Sequence, residues 1–158
     1  MKHIVMIIGV LLVSAGFAAA DEHDALTVDG AYAYATTSVQ KNGAVFMTIR
    51  REDRLEEGTP ENYTAPQLFL TKADTDVADR VELHTHIADG DVMMMREVDG
   101  YEIKNNDVLE LEPMGHHIML FGLKAPLEAG TEFPMTLHFD DENNREITVK
   151  VVKPGEMP

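Results

Sequence analysis

The chain has 158 residues, enough for one domain with a core of its own, and it contains no cysteine, which excludes disulfides, thiolate metal sites and every thiol-based mechanism. Thirteen Lys and Arg against 28 Asp and Glu leave a formal net charge of -15. That charge repels phosphate backbones and anionic membrane surfaces, so nucleic acid is excluded as a natural partner.

Residues 1–20 read as a secretory signal: Lys2 and His3 form a short n-region, Ile4 to Val13 an apolar run, and Ala18-Ala19-Ala20 a small-residue cleavage site. The apolar run is too short to span a bilayer, and no other segment approaches the roughly 20 apolar residues of a transmembrane helix. No cysteine stands near the cleavage site to carry a lipid. The expected product is residues 21–158, exported to the periplasm and not inserted in a membrane.

The rest reads as short strands. Ala31 to Ala35, Ala44 to Arg50, Gln67 to Thr71, Arg80 to His86, Val92 to Glu97, Val108 to Glu112 and His116 to Gly122 are candidates. Turn signals separate most of them: Asn42-Gly43, Asp89-Gly90, Asp99-Gly100, Asn105-Asn106, Pro113 and Gly130. The clearest period-two alternation comes last, where Met135, Leu137 and Phe139 alternate with polar residues, and Ile147, Val149 and Val151 do the same. Many short strands at close spacing predict a single all-β domain, a sandwich or barrel. Arg51 to Pro66 is polar and rich in charge, Pro and Gly, and reads as a long surface connection. Lys153 to Pro158 reads as a loose tail.

Histidine and methionine are unevenly spread: His84, His86, Met93, Met94, Met95, Met114, His116, His117 and Met119 fall within one stretch. Neutral imidazole suits copper and zinc, whereas an uncharged thioether suits Cu(I) and adds little for Zn(II). A mixed site therefore points to reduced copper. Side chains two apart on a strand share a face, so His117 and Met119 project together, as do His84 and His86, while His116 points the other way. Met93 shares the face of Met95 as an apolar rim, and Met94 points into the core or away. Met47, Met135 and His138 read as ordinary packing or surface residues.

The spacing His84, ten residues, Met95, twenty-one residues, His117, one residue, Met119 resembles the H-x10-M-x21-H-x-M signature of the periplasmic copper chaperones called PCu(A)C. The words Arg80 to His84, Val92 to Arg96, Gly115 to Leu120 and Gly122 to Leu127 agree with it, and the resemblance covers about Leu26 to Val152. It implies a cupredoxin-like Greek-key β-sandwich whose ligands to Cu(I) are His84, Met95, His117 and Met119. His86 is an auxiliary candidate on separate grounds, because it shares a strand face with His84 and suits a transient or Cu(II)-preferring role. It also implies a non-enzymatic carrier that delivers copper to the copper centres of cytochrome c oxidase, directly or with Sco-type assembly proteins. Many members carry a Trp and a basic residue near the start, where this chain has Tyr32 and Tyr34.

Three other readings compete: a periplasmic copper buffering or resistance protein, a copper redox enzyme, and a metal-free β-sandwich interaction module. The missing thiolate argues against blue-copper electron transfer. Because imidazole must be neutral to coordinate, copper affinity is expected to fall below about pH 6.5.

Overall fold

The computed structural model describes residues 24–53, 58, 60, 63–64, 66–89 and 92–156. The expected signal segment, much of the expected Arg51 to Pro66 connection, the expected Asp89-Gly90 turn and the last two residues lie wholly or partly outside the described residues. Among the described residues ten strands follow in order: β1 (Asp24–Tyr34), β2 (Asn42–Asp53), β3 (Leu68–Asp74), β4 (Ala78–Asp89), β5 (Val92–Glu97), β6 (Tyr101–Ile103), β7 (Asp107–Leu111), β8 (His117–Leu123), β9 (Glu132–Phe139) and β10 (Arg145–Val152). Among the described residues no helix is long and apolar enough to cross a membrane.

The alternation seen in the sequence is what makes these segments pack. Phe133, Met135, Leu137 and Phe139 of β9 are buried, and Val149 and Val151 of β10 lie beside them. In β8, Ile118 and Leu120 are fully buried, which turns His117, Met119 and Phe121 to the opposite face of the sheet.

All ten strands join in one hydrogen-bonded path, β5-β4-β8-β2-β1-β10-β9-β3-β6, with β7 alongside β2. Neighbours are antiparallel except for the parallel pair β1 and β10. The long strand β2 serves two partners on one edge: Asn42 to Val45 pair with β8, and Met47 to Arg51 pair with β7. Strands β3 and β4 stand far apart in the strand order yet pack against each other. The sheet therefore folds over on itself and encloses a core of Val45, Ile49, Leu70, Leu83, Ile103, Ile118, Leu120, Leu137 and Val149. The expected all-β, cupredoxin-like architecture is the one observed.

Each strand expected from the sequence is present; the first begins at Asp24, seven residues before the expected Ala31, and the other ends move by a few residues. Strand β6 was not legible, because three residues between Gly100 and the Asn105-Asn106 turn are too few to display a period. The reading of Arg51 as the start of a surface connection is corrected: Arg51 to Asp53 belong to β2, and Arg51 is buried. Its guanidinium donates to the Pro66 carbonyl at 2.8 Å and the Ile103 carbonyl at 3.3 Å, hydrogen bonds that offset the cost of burying a charge.

Gly122 ends the regular part of β8 with φ 67°, and a Cβ there would lie 2.6 Å from Asp79 Oδ2. Gly122→Ala is expected to cost about 1–2 kcal/mol from left-handed backbone strain alone, read as a lower urea midpoint. Adding Asp79→Ala should restore only the steric part of the loss.

Candidate metal centre

Strand β4 lies between β5 and β8, and its register on both sides builds the site. His84 faces His117 of β8 and Glu97 of β5; Glu82 faces Met119, and His86 faces Met95. Residues directly opposite in an antiparallel pair share a face. Along that face one rung carries the two histidines His84 and His117. Met119 stands one rung to one side of it and Met95 one rung to the other. The four residues singled out by spacing thus bracket one point from three strands.

The side chains close much of this gap. His117 Nε2 lies 3.1 Å from Met95 Sδ, the His84 and His117 rings are 5.9 Å apart, and the His86 and His117 rings 5.2 Å. His117 is buried, whereas Met95 on the edge strand is 47% exposed. Met119 is partly buried and lines a cavity with Tyr34, Lys41, Asn42 and Ala44. Among the described residues no three His, Asp or Glu side chains are arranged to hold a metal. A metal held here would draw on the thioethers as well as the imidazoles, a donor set suited to a soft ion.

Three contacts fix the frame. The Tyr101 hydroxyl lies 2.6 Å from the His84 carbonyl and 2.8 Å from the His117 carbonyl, so one buried O–H ties β4 to β8 at the histidine rung. The Gly115 carbonyl accepts from His117 Nδ1 at 3.1 Å and from His86 Nδ1 at 3.3 Å. Phe46, itself packed on Tyr32 and Tyr34, lies 6.4 Å from the His117 ring and shields that side from water. Beyond His84, Glu82 Oε2 sits 2.7 Å from His84 Nε2, and the other Glu82 oxygen pairs with Arg80.

Burial sets the electrostatics. Desolvation holds the His117 pKa below that of free histidine, more than the Gly115 hydrogen bond raises it, and the neighbouring His86, His84 and His116 lower it further. Desolvation likewise lowers His84, against the attraction of Glu97 and with help from the repulsion of Arg80. Both rings therefore stay neutral into mildly acidic solution, the state in which a lone pair is available. Burial also raises the Tyr32 pKa to about 12.

The remaining sequence candidates divide. His86 joins the cluster. Met93 is half exposed beyond Met95, and Met94 is partly buried on the other face of β5. His116 is exposed, and its ring lies 4.8 Å from that of Tyr101 at a tilt of 54°, outside the histidine cluster's own contacts. Met114 is exposed with φ 69° in the turn that presents Gly115. Met47 and Met135 are core residues, and His138 contacts Asp74 and Asn144 away from the site. Tyr101, Glu82, Phe46 and the Gly115 carbonyl were not singled out by sequence. Of these, only the acidic Glu82 two residues before His84 carried a signal, since ligating histidines commonly lean on carboxylates.

The family model described as "Putative lipoprotein LpqE-like" matches residues 26–151. The chain is 35% identical over 95 residues to Lxx21020 of Leifsonia xyli subsp. xyli (strain CTCB07), whose name carries the same lipoprotein description. That match takes in 60% of this chain and 57% of the relative, and a match to RP573 of Rickettsia prowazekii (strain Madrid E) takes in 46% of its length, so the chain spans about half the length of these curated relatives. Among solved structures, the Cu(I) form of DR1885 from Deinococcus radiodurans is 27% identical, with TM-score 0.60, covering 88% of this chain and 84% of that one. The copper-bound PCuAC domain from PmoF2 shares the fold, with TM-score 0.63 and 15% identity over 82% of this chain and 93% of that one.

Tyr101→Phe keeps the ring in the core but leaves two carbonyls without their shared donor. It is expected to cost about 1–3 kcal/mol in urea unfolding and to speed amide exchange around His84 and His117.

Proposed function

The chain belongs to the LpqE-like family, and from that premise we propose that it is an exported copper chaperone, holding one Cu(I) through His84, Met95, His117 and Met119. The observation that carries the reading is the 3.1 Å approach of Met95 Sδ to His117 Nε2 beside the His84 rung. A soft thioether and an imidazole face each other there across strands, with the second thioether one rung away. The relatives with this fold whose structures hold copper support the same reading.

The graded exposure suits a carrier. Met95 is half exposed on an edge strand, whereas His117 is buried beneath it. An acceptor ligand displaces Met95 first, and the imidazoles release the ion last. No covalent bond other than coordination changes, so the protein acts without enzymatic turnover. The proposed acceptors are the copper centres of cytochrome c oxidase, reached directly or through Sco-type assembly proteins, and the proposed location is the periplasm, reached through the signal segment at residues 1–20. His86, with its ring 5.2 Å from that of His117, is the proposed auxiliary ligand when Met95 is displaced. Copper buffering uses the same site; loss of oxidase activity at low copper in a deletion strain marks delivery, and copper sensitivity alone marks buffering.

A competitive Cu(I) titration under reducing conditions is expected to find one tightly bound equivalent, lost in the Met95→Ala, Met119→Ala double variant. Equal binding by both proteins would reject the thioether ligands.

The lowered pKa values of His117 and His84 also set the pH response. Protons compete with the metal only below each ring's own pKa, so the loss of affinity is expected to begin below about pH 6.5, the free-histidine value, rather than at it. Titrations between about pH 8 and pH 4 check this; an affinity flat throughout would reject the two-histidine site.

A further inference from the structure

The unexplained atom in the cluster is His84 Nδ1, which is buried and has no hydrogen-bond partner. A buried nitrogen lone pair left unpaired is costly, and such atoms in native proteins call for a reason. The reason begins at the other ring nitrogen. His84 Nε2 lies 2.7 Å from Glu82 Oε2, and an ionised carboxylate can only accept a hydrogen bond. The neutral ring must therefore carry its single proton on Nε2, which leaves the lone pair on Nδ1.

Glu82 is held for this task. Its side chain is 11% exposed, its second oxygen is paired with Arg80, and the Arg80 guanidinium lies 4.3 Å from the centroid of Phe121. Arg80 faces Phe121 and Glu82 faces Met119 on adjacent rungs of the face that holds His84, so the brace and the site share one register. The carboxylate has little freedom to release the ring.

Across the rung the chemistry is reversed. His117 Nδ1 faces the Gly115 carbonyl, which also only accepts, so the His117 proton sits on Nδ1 and its lone pair on Nε2, against Met95 Sδ.

Resting on the copper reading above, we infer that Glu82 is a positioning residue that selects the donor nitrogen of His84. The ion is bound through Nδ1 of His84 and Nε2 of His117, two opposite tautomers on one rung. The Glu82 brace then fixes ring and metal together, as carboxylates behind ligating histidines do elsewhere.

Long-range proton–nitrogen spectra of the 15N-labelled protein test this, with ring signals assigned from His84→Gln and His117→Gln variants. The apo protein is expected to show His84 protonated on Nε2 and His117 on Nδ1. One equivalent of Cu(I) should then shift His84 Nδ1 and His117 Nε2. Glu82→Gln, whose amide oxygen accepts the same bond, should keep the His84 tautomer; Glu82→Ala should lose it and weaken Cu(I) binding by about 10–100-fold. Copper on His84 Nε2, or a Glu82→Ala protein with unchanged tautomer and affinity, overturns the inference while leaving the copper site standing. If Cu(I) shifts neither ring of the wild-type protein, the copper reading itself fails and the donor assignment falls with it. Should Glu82→Ala not fold, the wild-type spectra and Glu82→Gln still decide.

Discussion

Everything at the site depends on the register of β4 between its two neighbours. Side chains alternate faces along a strand, so a slip of one residue would send His84 into the core and Leu83 into solvent. The core opposes that slip, because Leu83, Ile118 and Leu120 are buried on the inner face. The packing that stabilises the fold thus also aligns His84 with His117 and sets Met119 and Met95 one rung to either side. Tyr101 reinforces the alignment from within the core, through a hydroxyl shared between the carbonyls of the two histidines. Core packing and the geometry of the candidate metal site are two consequences of one pairing.

That arrangement also explains why the site is both ordered and open. The imidazoles are sheltered by Phe46, Tyr32 and Tyr34 on one side and by the Gly115 turn on another, and desolvation keeps them neutral. Strand β5 is the end of the sheet, and its methionines Met93 and Met95 remain about half exposed. An edge strand with an apolar, solvent-facing rim is a liability unless it is used. In the proposed reading it carries the soft ligand that an acceptor would meet first. The net negative charge of the chain would favour the approach of a cation, while the neutral donors of the proposed site would decide which ion is retained.

Much of this was legible in the sequence, and the physical reason is parity. Spacing by two places His117 and Met119 on one face of β8 and His84 and His86 on one face of β4, whatever the partners are. Parity within a strand does not align one strand with the next, so the rung that pairs His84 with His117 and His86 with Met95 appears only in the folded sheet. Tyr101 was hidden because β6 is too short to show a pattern, and Gly115 because it acts through its carbonyl. Arg51 looked like the first residue of a polar connection, since its partners, the carbonyls of Pro66 and Ile103, lie far away in the chain. Polar residues are read as surface by default, and only long-range acceptors reverse that.

The central claim, that a soft ion is shared between imidazoles and thioethers across β4, β5 and β8, is tested most directly by X-ray absorption at the copper edge of the protein loaded with one equivalent of Cu(I). The account predicts a Cu(I) edge and a first shell that needs both nitrogen and sulfur scatterers, with the sulfur contribution reduced in Met95→Ala. A first shell of nitrogen and oxygen alone, unchanged in that variant, would contradict it.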